Sequence, residues 1–144
     1  FFADSFLTPF TAFLTTLGVV IAAWGGVMLA DIALRRKDYD EPSLFTPSGR
    51  YGSVNWGAVA SLIVGSLVGW GLVVNANASW LSWQGYLLGP LGGREGDWAG
   101  ANIGILLAMV VGFVGYWVTS AGRVRTQEKL ASRTYAQGVE EGER

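Results

Sequence analysis

VNWGAVASLIVGSLVGWGLVV, residues 54–74, decides the fold: 21 consecutive residues without one charged side chain. A helix of about 20 apolar residues crosses a hydrocarbon core about 30 Å thick, so this stretch reads as a membrane-spanning helix. Two further apolar runs flank it, Phe6–Leu34 and residues 99–120, and the last of these also carries no charge. The chain is therefore read as an all-α membrane protein with three transmembrane helices, at about 6–34, 54–74 and 99–120. They fill a membrane segment, 1–122, followed by a cytoplasmic polar tail, 123–144.

Composition points the same way. Of 144 residues 51% are hydrophobic and only 15% charged, where an ordinary soluble domain carries about 25% charged residues. The 21 glycines and seven tryptophans suit membrane helices, in which glycine lets backbones approach and tryptophan settles at the interfaces. With neither histidine nor cysteine, the chain has no cysteine nucleophile, no histidine base, no thiolate zinc site and no histidine-ligated haem. There is no basic patch for nucleic acid. The chain begins at Phe1, so it is either processed or a piece of something longer. The first run lacks a basic leader and is too long for a signal peptide.

Charge sets the expected orientation. Arg35, Arg36, Lys37 and Arg50 follow the first run, and Arg123, Arg125, Lys129, Arg133 and Arg144 follow the third. The connection of residues 75–98 holds only Arg94, and no cation precedes Arg35. The positive-inside rule places residues 35–50 and the tail in the cytoplasm, with the N-terminus and residues 75–98 outside, in a plasma or inner membrane.

Local signals refine the segments. Pro9 suits a first helical turn, and Asp4 and Ser5 are N-cap candidates before it. Asp31 and Arg35 stand four apart and can pair; with Arg36 they read as a cytoplasmic anchor, the alternative being that Asp31 is a functional membrane acid. Small residues recur every four positions in all three runs: Gly18, Ala22 and Gly26; Gly57, Ser61, Gly65 and Gly69; Gly104, Ala108 and Gly112. Such stripes serve as helix contact faces in lipid, unless they reflect only how common Gly and Ala are there. The segments are otherwise dissimilar, so this is no internal repeat. Trp80, Trp83, Tyr86, Leu87 and Leu88 suggest an amphipathic segment on the outer surface, closed by Gly89-Pro90. Asn77-Ala78-Ser79 formally matches a glycosylation sequon, a short pattern that arises often by chance. The Gly-rich residues 89–96 read as a turn, since no Lys-Ser/Thr follows as in a phosphate loop. Tyr39, Leu44, Phe45 and Tyr51 could lie on the membrane surface. Asp38, Asp40 and Glu41 sit beside four cations and read as a solvated loop rather than a metal site. The closing residues, GVEEGER, read as disordered. No catalytic constellation emerges, and no metal site is expected.

One stretch carries a resemblance. The first run closes Trp24-Gly-Gly-Val-Met-Leu-Ala-Asp31-Ile-Ala-Leu-Arg35-Arg36-Lys37. It is followed by Tyr39-Asp40, Leu44-Phe45 and Arg50-Tyr51-Gly52-x-x-Asn55-Trp56. In order and spacing this resembles the nucleobase–cation symport family, the cytosine/purine, uracil, allantoin and hydantoin permeases. Ile32 departs from a frequent aromatic, and residues 75–98 make a long outer loop. The resemblance covers about residues 6–120, the C-terminal third of such a transporter. It implies that the three runs correspond to helices ten, eleven and twelve of a five-plus-five inverted-repeat fold with two extra helices.

The family's substrate and cation ligands lie on earlier helices, so no substrate or metal ligand and no cofactor is expected in this piece. A coupling cation, sodium or proton, is implied for the full transporter. The resemblance also implies that the outer half of the first run, about residues 11–18, bends as a gate over substrate. Phe13, Leu14 and Leu17 are the bulky gate candidates, with Pro9 and Gly18 as hinges; otherwise they are lipid-facing or core apolar residues. The expected partners are the lipid bilayer, the remaining transporter helices and a nucleobase-like small molecule, with no nucleic acid. The alternative is a self-contained three-helix structural subunit of a membrane complex, which would co-purify with partner chains and show no uptake.

Overall fold

The computed structural model describes residues 2–36, 54–75, 78–96 and 98–142, with side chains described for those between 6 and 130. Among the described residues the long elements are three helices: α1 (Phe2–Leu34), α2 (Trp56–Gly71) and α3 (Ile103–Gly142). Short 3-10 turns at Ser79–Leu81, Gly89–Leu91, Gly93–Glu95 and Ala99–Ala101 make up the connection from α2 to α3. All three helices pack on one another. Two of them, over Phe6–Leu34 and Ile103–Leu130, are long and apolar enough to cross a membrane.

The packing follows membrane rather than aqueous logic. Bulky residues such as Phe10, Ile21, Trp24, Leu67, Leu106 and Val118 face outward. The centre is made of Val19, Ala23, Val73 and Ala108, lined by glycines and serines. Lipid tails are as apolar as leucine, so burying a large side chain between helices gains little, and close backbone approach gains more. The small-residue stripes supply that approach. A Cβ on Gly26 would overlap the Met109 carbonyl oxygen, one on Gly112 would overlap that of Ala23, and one on Gly104 that of Gly69. On α2, a Cβ on Gly65 would lie 2.9 Å from the Ala108 oxygen. Gly18 stands apart from the pattern, with open space where its Cβ would be.

The observed boundaries differ from the expected ones in instructive ways. α1 begins at Phe2, so Asp4 and Ser5 are not caps and Pro9 lies inside the helix. The ring stack of Phe6 on Phe10, 5.3 Å apart at i, i+4, supports helix on both sides of that proline. α2 has 16 residues, about 24 Å at 1.5 Å per residue, short of a core about 30 Å thick. Its flanks, expected to be helical, turn away at Asn55, the N-cap, and at Leu72. At the third run, Ala99–Ala101 is a 3-10 turn, Asn102 takes a left-handed conformation (φ 49°), and the helix starts at Ile103.

That helix then continues to Gly142, so the closing residues expected to be disordered are helical as far as Gly142. The strong helix formers in QEKLASR, residues 127–133, carry it past the apolar run. Lys37, Asp38, Tyr39, Asp40, Glu41, Leu44, Phe45, Arg50, Tyr51, Asn77 and Arg144 lie outside the described residues, as do the loop and sequon readings that depend on them.

Candidate functional site

Two polar clusters interrupt the apolar bundle, one at each end. The first joins α1, the end of α2 and the loop after it. The loop does not simply lie on the surface, as expected: Leu81, Gln84 and Leu88 are buried, while Trp80, Trp83, Tyr86 and Leu87 stay exposed. Gln84, only 1% exposed, sits at its centre. Its amide Nε2 donates to Thr16 Oγ1 at 3.1 Å, and its Oε1 accepts from Asn75 Nδ2 at 2.6 Å. Asn75 Nδ2 also lies 3.4 Å from Thr16 Oγ1. The Thr16 hydroxyl donates in turn to the Ala12 carbonyl at 2.9 Å, and the Trp70 indole N–H donates to the Thr16 carbonyl at 3.0 Å. Trp70 meets Trp83 edge to face at 5.6 Å.

The same loop completes the short helix α2. The backbone N–H of Gly85 donates to the Trp70 carbonyl at 2.9 Å, and that of Leu87 to the Gly71 carbonyl at 2.8 Å. The Tyr86 hydroxyl donates to the Leu67 carbonyl. The last carbonyls of a helix have no partner within it, and in lipid each one left bare would cost several kcal/mol. The loop therefore gives the last carbonyls of α2 partners from outside the helix. Gly85 accomplishes the turn with φ 79°, a conformation open to glycine.

The second cluster lies at the other end. The i, i+4 pairing expected of Asp31 and Arg35 is formed, with Nε 2.9 Å from Oδ2. Two further helices join it. The Tyr116 hydroxyl of α3 donates to Asp31 Oδ1, and Asn55 Nδ2 approaches the Tyr116 oxygen at 3.3 Å. Arg35 Nη1 donates to Gln127 Oε1 at 3.3 Å, and the Arg36 backbone N–H donates to the Glu128 carboxylate. Asn55 also caps α2, accepting from the Ala58 N–H at 3.4 Å. Asp31 thus holds Arg35 of its own helix and Tyr116 of α3, and through Tyr116 it is linked to Asn55 at the start of α2.

The expected gate residues fall elsewhere. Phe13, Leu14 and Leu17 are 51%, 48% and 42% exposed. Pro9 is exposed within α1, and Gly18 is half-buried with open space beside it. The structure joins Asp31 and Arg35 but brings none of the gate or hinge candidates together. Beside them an open cleft of about 430 Å³ is lined by residues that include Leu7, Thr8, Thr11, Thr15, Asn75 and Asn102. Among the described residues no group of three or more acidic side chains is placed to hold a metal.

Sequence reasoning passed over Gln84, Asn75, Thr16 and Tyr116. The signal was there for two of them: Gln84 is an amide among Trp83, Tyr86 and Leu87, and Tyr116 brings a hydroxyl into the apolar part of α3. Each is a group that needs a buried partner.

Comparison with known proteins bears on these sites. No curated protein and no solved structure matches the chain. A family model described as permease for cytosine/purines, uracil, thiamine, allantoin matches residues 2–89, which span α1, α2 and the loop as far as Gly89 and end before α3. Together with the two long apolar helices, the match makes this an integral membrane protein of transporter type. Matched over more than half its length, the chain belongs to the cytosine/purine, uracil, thiamine and allantoin permease family.

Proposed function

We propose that this chain is the C-terminal part of a cation-coupled secondary transporter for nucleobases or related ring compounds. α1, α2 and α3 stand as its tenth, eleventh and twelfth helices. α1 contributes the outer gate, and α2 and α3 are peripheral. The N-terminus of α1 lies outside and the end of α3 in the cytoplasm of a plasma or inner membrane. The distribution of Lys and Arg supports this orientation, which puts the Gln84 cluster outside and the Asp31 cluster inside.

The observation that carries the gate reading is that Phe13, Leu14 and Leu17, bulky apolar side chains in the outer half of α1, are exposed in this three-helix piece. They are left for whatever the rest of the transporter places there. Bulky apolar side chains on one stretch of helix are suited to close over a flat ring. The coupling cation, sodium or proton, belongs with the earlier helices.

The test is uptake by the full-length protein carrying Leu14→Ala and Leu17→Ala. Loss of a bulky lid is expected to weaken apparent substrate affinity with little change in protein yield. Wild-type affinity and rate in both variants would remove the gate from α1.

A further inference from the structure

The Gln84 cluster is a seam between two bodies: α1 on one side, the end of α2 with its loop on the other. Three polar contacts cross it. Gln84 Nε2 meets Thr16 Oγ1 at 3.1 Å, Asn75 Nδ2 meets the same oxygen at 3.4 Å, and the Trp70 indole N–H meets the Thr16 carbonyl at 3.0 Å. The apolar part is small, Ala12 against Ala78 and Leu81.

Most groups of this seam keep a partner on their own side if it opens. Gln84 Oε1 and Asn75 Nδ2 hold each other at 2.6 Å, and the Thr16 hydroxyl keeps the Ala12 carbonyl at 2.9 Å. The Thr16 carbonyl stays in the backbone ladder of α1. Two donors, Gln84 Nε2 and the Trp70 N–H, are left for water. The junction of loop and α2 is built the other way. There the Gly85 and Leu87 amides serve the Trp70 and Gly71 carbonyls, which have no partner within their helix. A pull on α1 therefore parts α1 from the loop and leaves the loop on α2.

The opening has a limit. Past Thr16 the packing tightens: a Cβ on Gly69 would lie 2.5 Å from Val19 Cγ1, and one on Gly112 would overlap the Ala23 carbonyl oxygen. Gly18, with open space beside it, stands between Thr16 and Val19.

We propose that Gln84 is a positioning residue that latches the gate. Through Thr16 it holds the N-terminal half of α1, and with it Phe13 and Leu14, against the loop, and α1 leaves the loop at this seam when the gate moves. The latch rests on the reading of α1 as a gate helix.

The chain has no cysteine, which permits direct tests. In the full-length permease, with any cysteines elsewhere replaced, Ala12→Cys places a thiol in the seam and Val19→Cys places one past it, both at buried positions. Modification by a thiol reagent is timed in each. Adding Thr16→Val, which removes the hydroxyl with little change of shape, is expected to speed modification at position 12 by about two- to ten-fold, as the loss of one net hydrogen bond would, and to leave position 19 unchanged. Thr16→Ser keeps a hydroxyl and is expected to keep the slow rate. Equal acceleration at both positions would show that the loop merely stabilises the bundle, and would overturn the proposal; so would no acceleration at position 12.

Ala12→Cys combined with Ala78→Cys joins the two sides by a disulfide under a mild oxidant. Nucleobase uptake is expected to fall by about ten-fold or more and to return on reduction. Undiminished uptake by the cross-linked protein, or no disulfide between these positions, would overturn the latch. The gate side chains fail separately: wild-type affinity in Leu14→Ala and Leu17→Ala, with uptake still lost on cross-linking, would remove them as the lid and leave the latch standing.

Discussion

The Tyr116 hydroxyl donates to the Asp31 carboxylate across the α1–α3 contact, and it also accepts from Asn55 at the start of α2. One phenol thus joins all three helices.

Tyr116→Phe keeps the ring and its packing but removes that junction. Asp31 keeps Arg35, while Asn55 loses its acceptor. A hydrogen bond to a charged group contributes about 1.5–3 kcal/mol, so the variant is expected to unfold at a distinctly lower temperature. Thermal denaturation of the purified full-length permease measures this. An unchanged Tm would show that the cluster contributes no net stability.

The glycines separate into two groups that substitution distinguishes. Gly26→Val would drive a branched side chain into the backbone of α3 at Met109, and the folded yield in detergent is expected to collapse. Gly25, one residue earlier, has open space, and Gly25→Ala is expected to be tolerated or to stabilise by about 0.5–1 kcal/mol through helix propensity. Size-exclusion profiles of the two variants test the contrast. Equal behaviour would dissolve the assigned α1–α3 contact.

Gln84→Leu removes the shared partner of Asn75 and Thr16, which keep only their long contact to each other and the bond from Thr16 to the Ala12 carbonyl. Each lost hydrogen bond contributes about 0.5–1.5 kcal/mol, and the loss falls on the docking of the loop. Hydrogen exchange at the Gly85 and Leu87 amides, which bond to the end of α2, is expected to accelerate markedly. Unaltered protection there would show that the backbone bonds alone hold the loop.

Pro9 lacks the N–H that would bond within α1, a local weakness near the outer end of the helix. Pro9→Ala restores that bond and stiffens the segment. If the outer half bends during transport, the variant is expected to be more stable to heat and slower in uptake. Faster or unchanged uptake would remove Pro9 from the hinge.

Helical class, three segments and the tight helix contacts were all legible in the residues. Uncharged runs have one stable form in lipid, and Gly65, Gly69, Gly104 and Gly112 recur at a spacing that serves close approach. Helix ends were less so. Pro9 reads as a start because nothing in residues 2–8 announces that helix continues upstream. The flanks of α2 read as helix because Val73 and Val74 are apolar, although the chain is already turning. The clusters were least legible. Asp31 and Arg35 are local and could be paired by spacing, but Tyr116 lies 85 positions from Asp31 and Gln84 lies 68 from Thr16. Such partners are chosen by the tertiary packing, which no local pattern encodes.

The dependence of α2 on Gly85 and Leu87 bears on how the chain is made. A membrane helix ordinarily becomes self-sufficient once its own residues have left the ribosome, since all its backbone bonds lie within it. α2 does not: its last carbonyls, at Trp70 and Gly71, wait for amides synthesised 15 and 16 positions later, at Gly85 and Leu87. Until that stretch emerges and folds back, α2 is unfinished in the bilayer, so helix and loop must insert as a single unit.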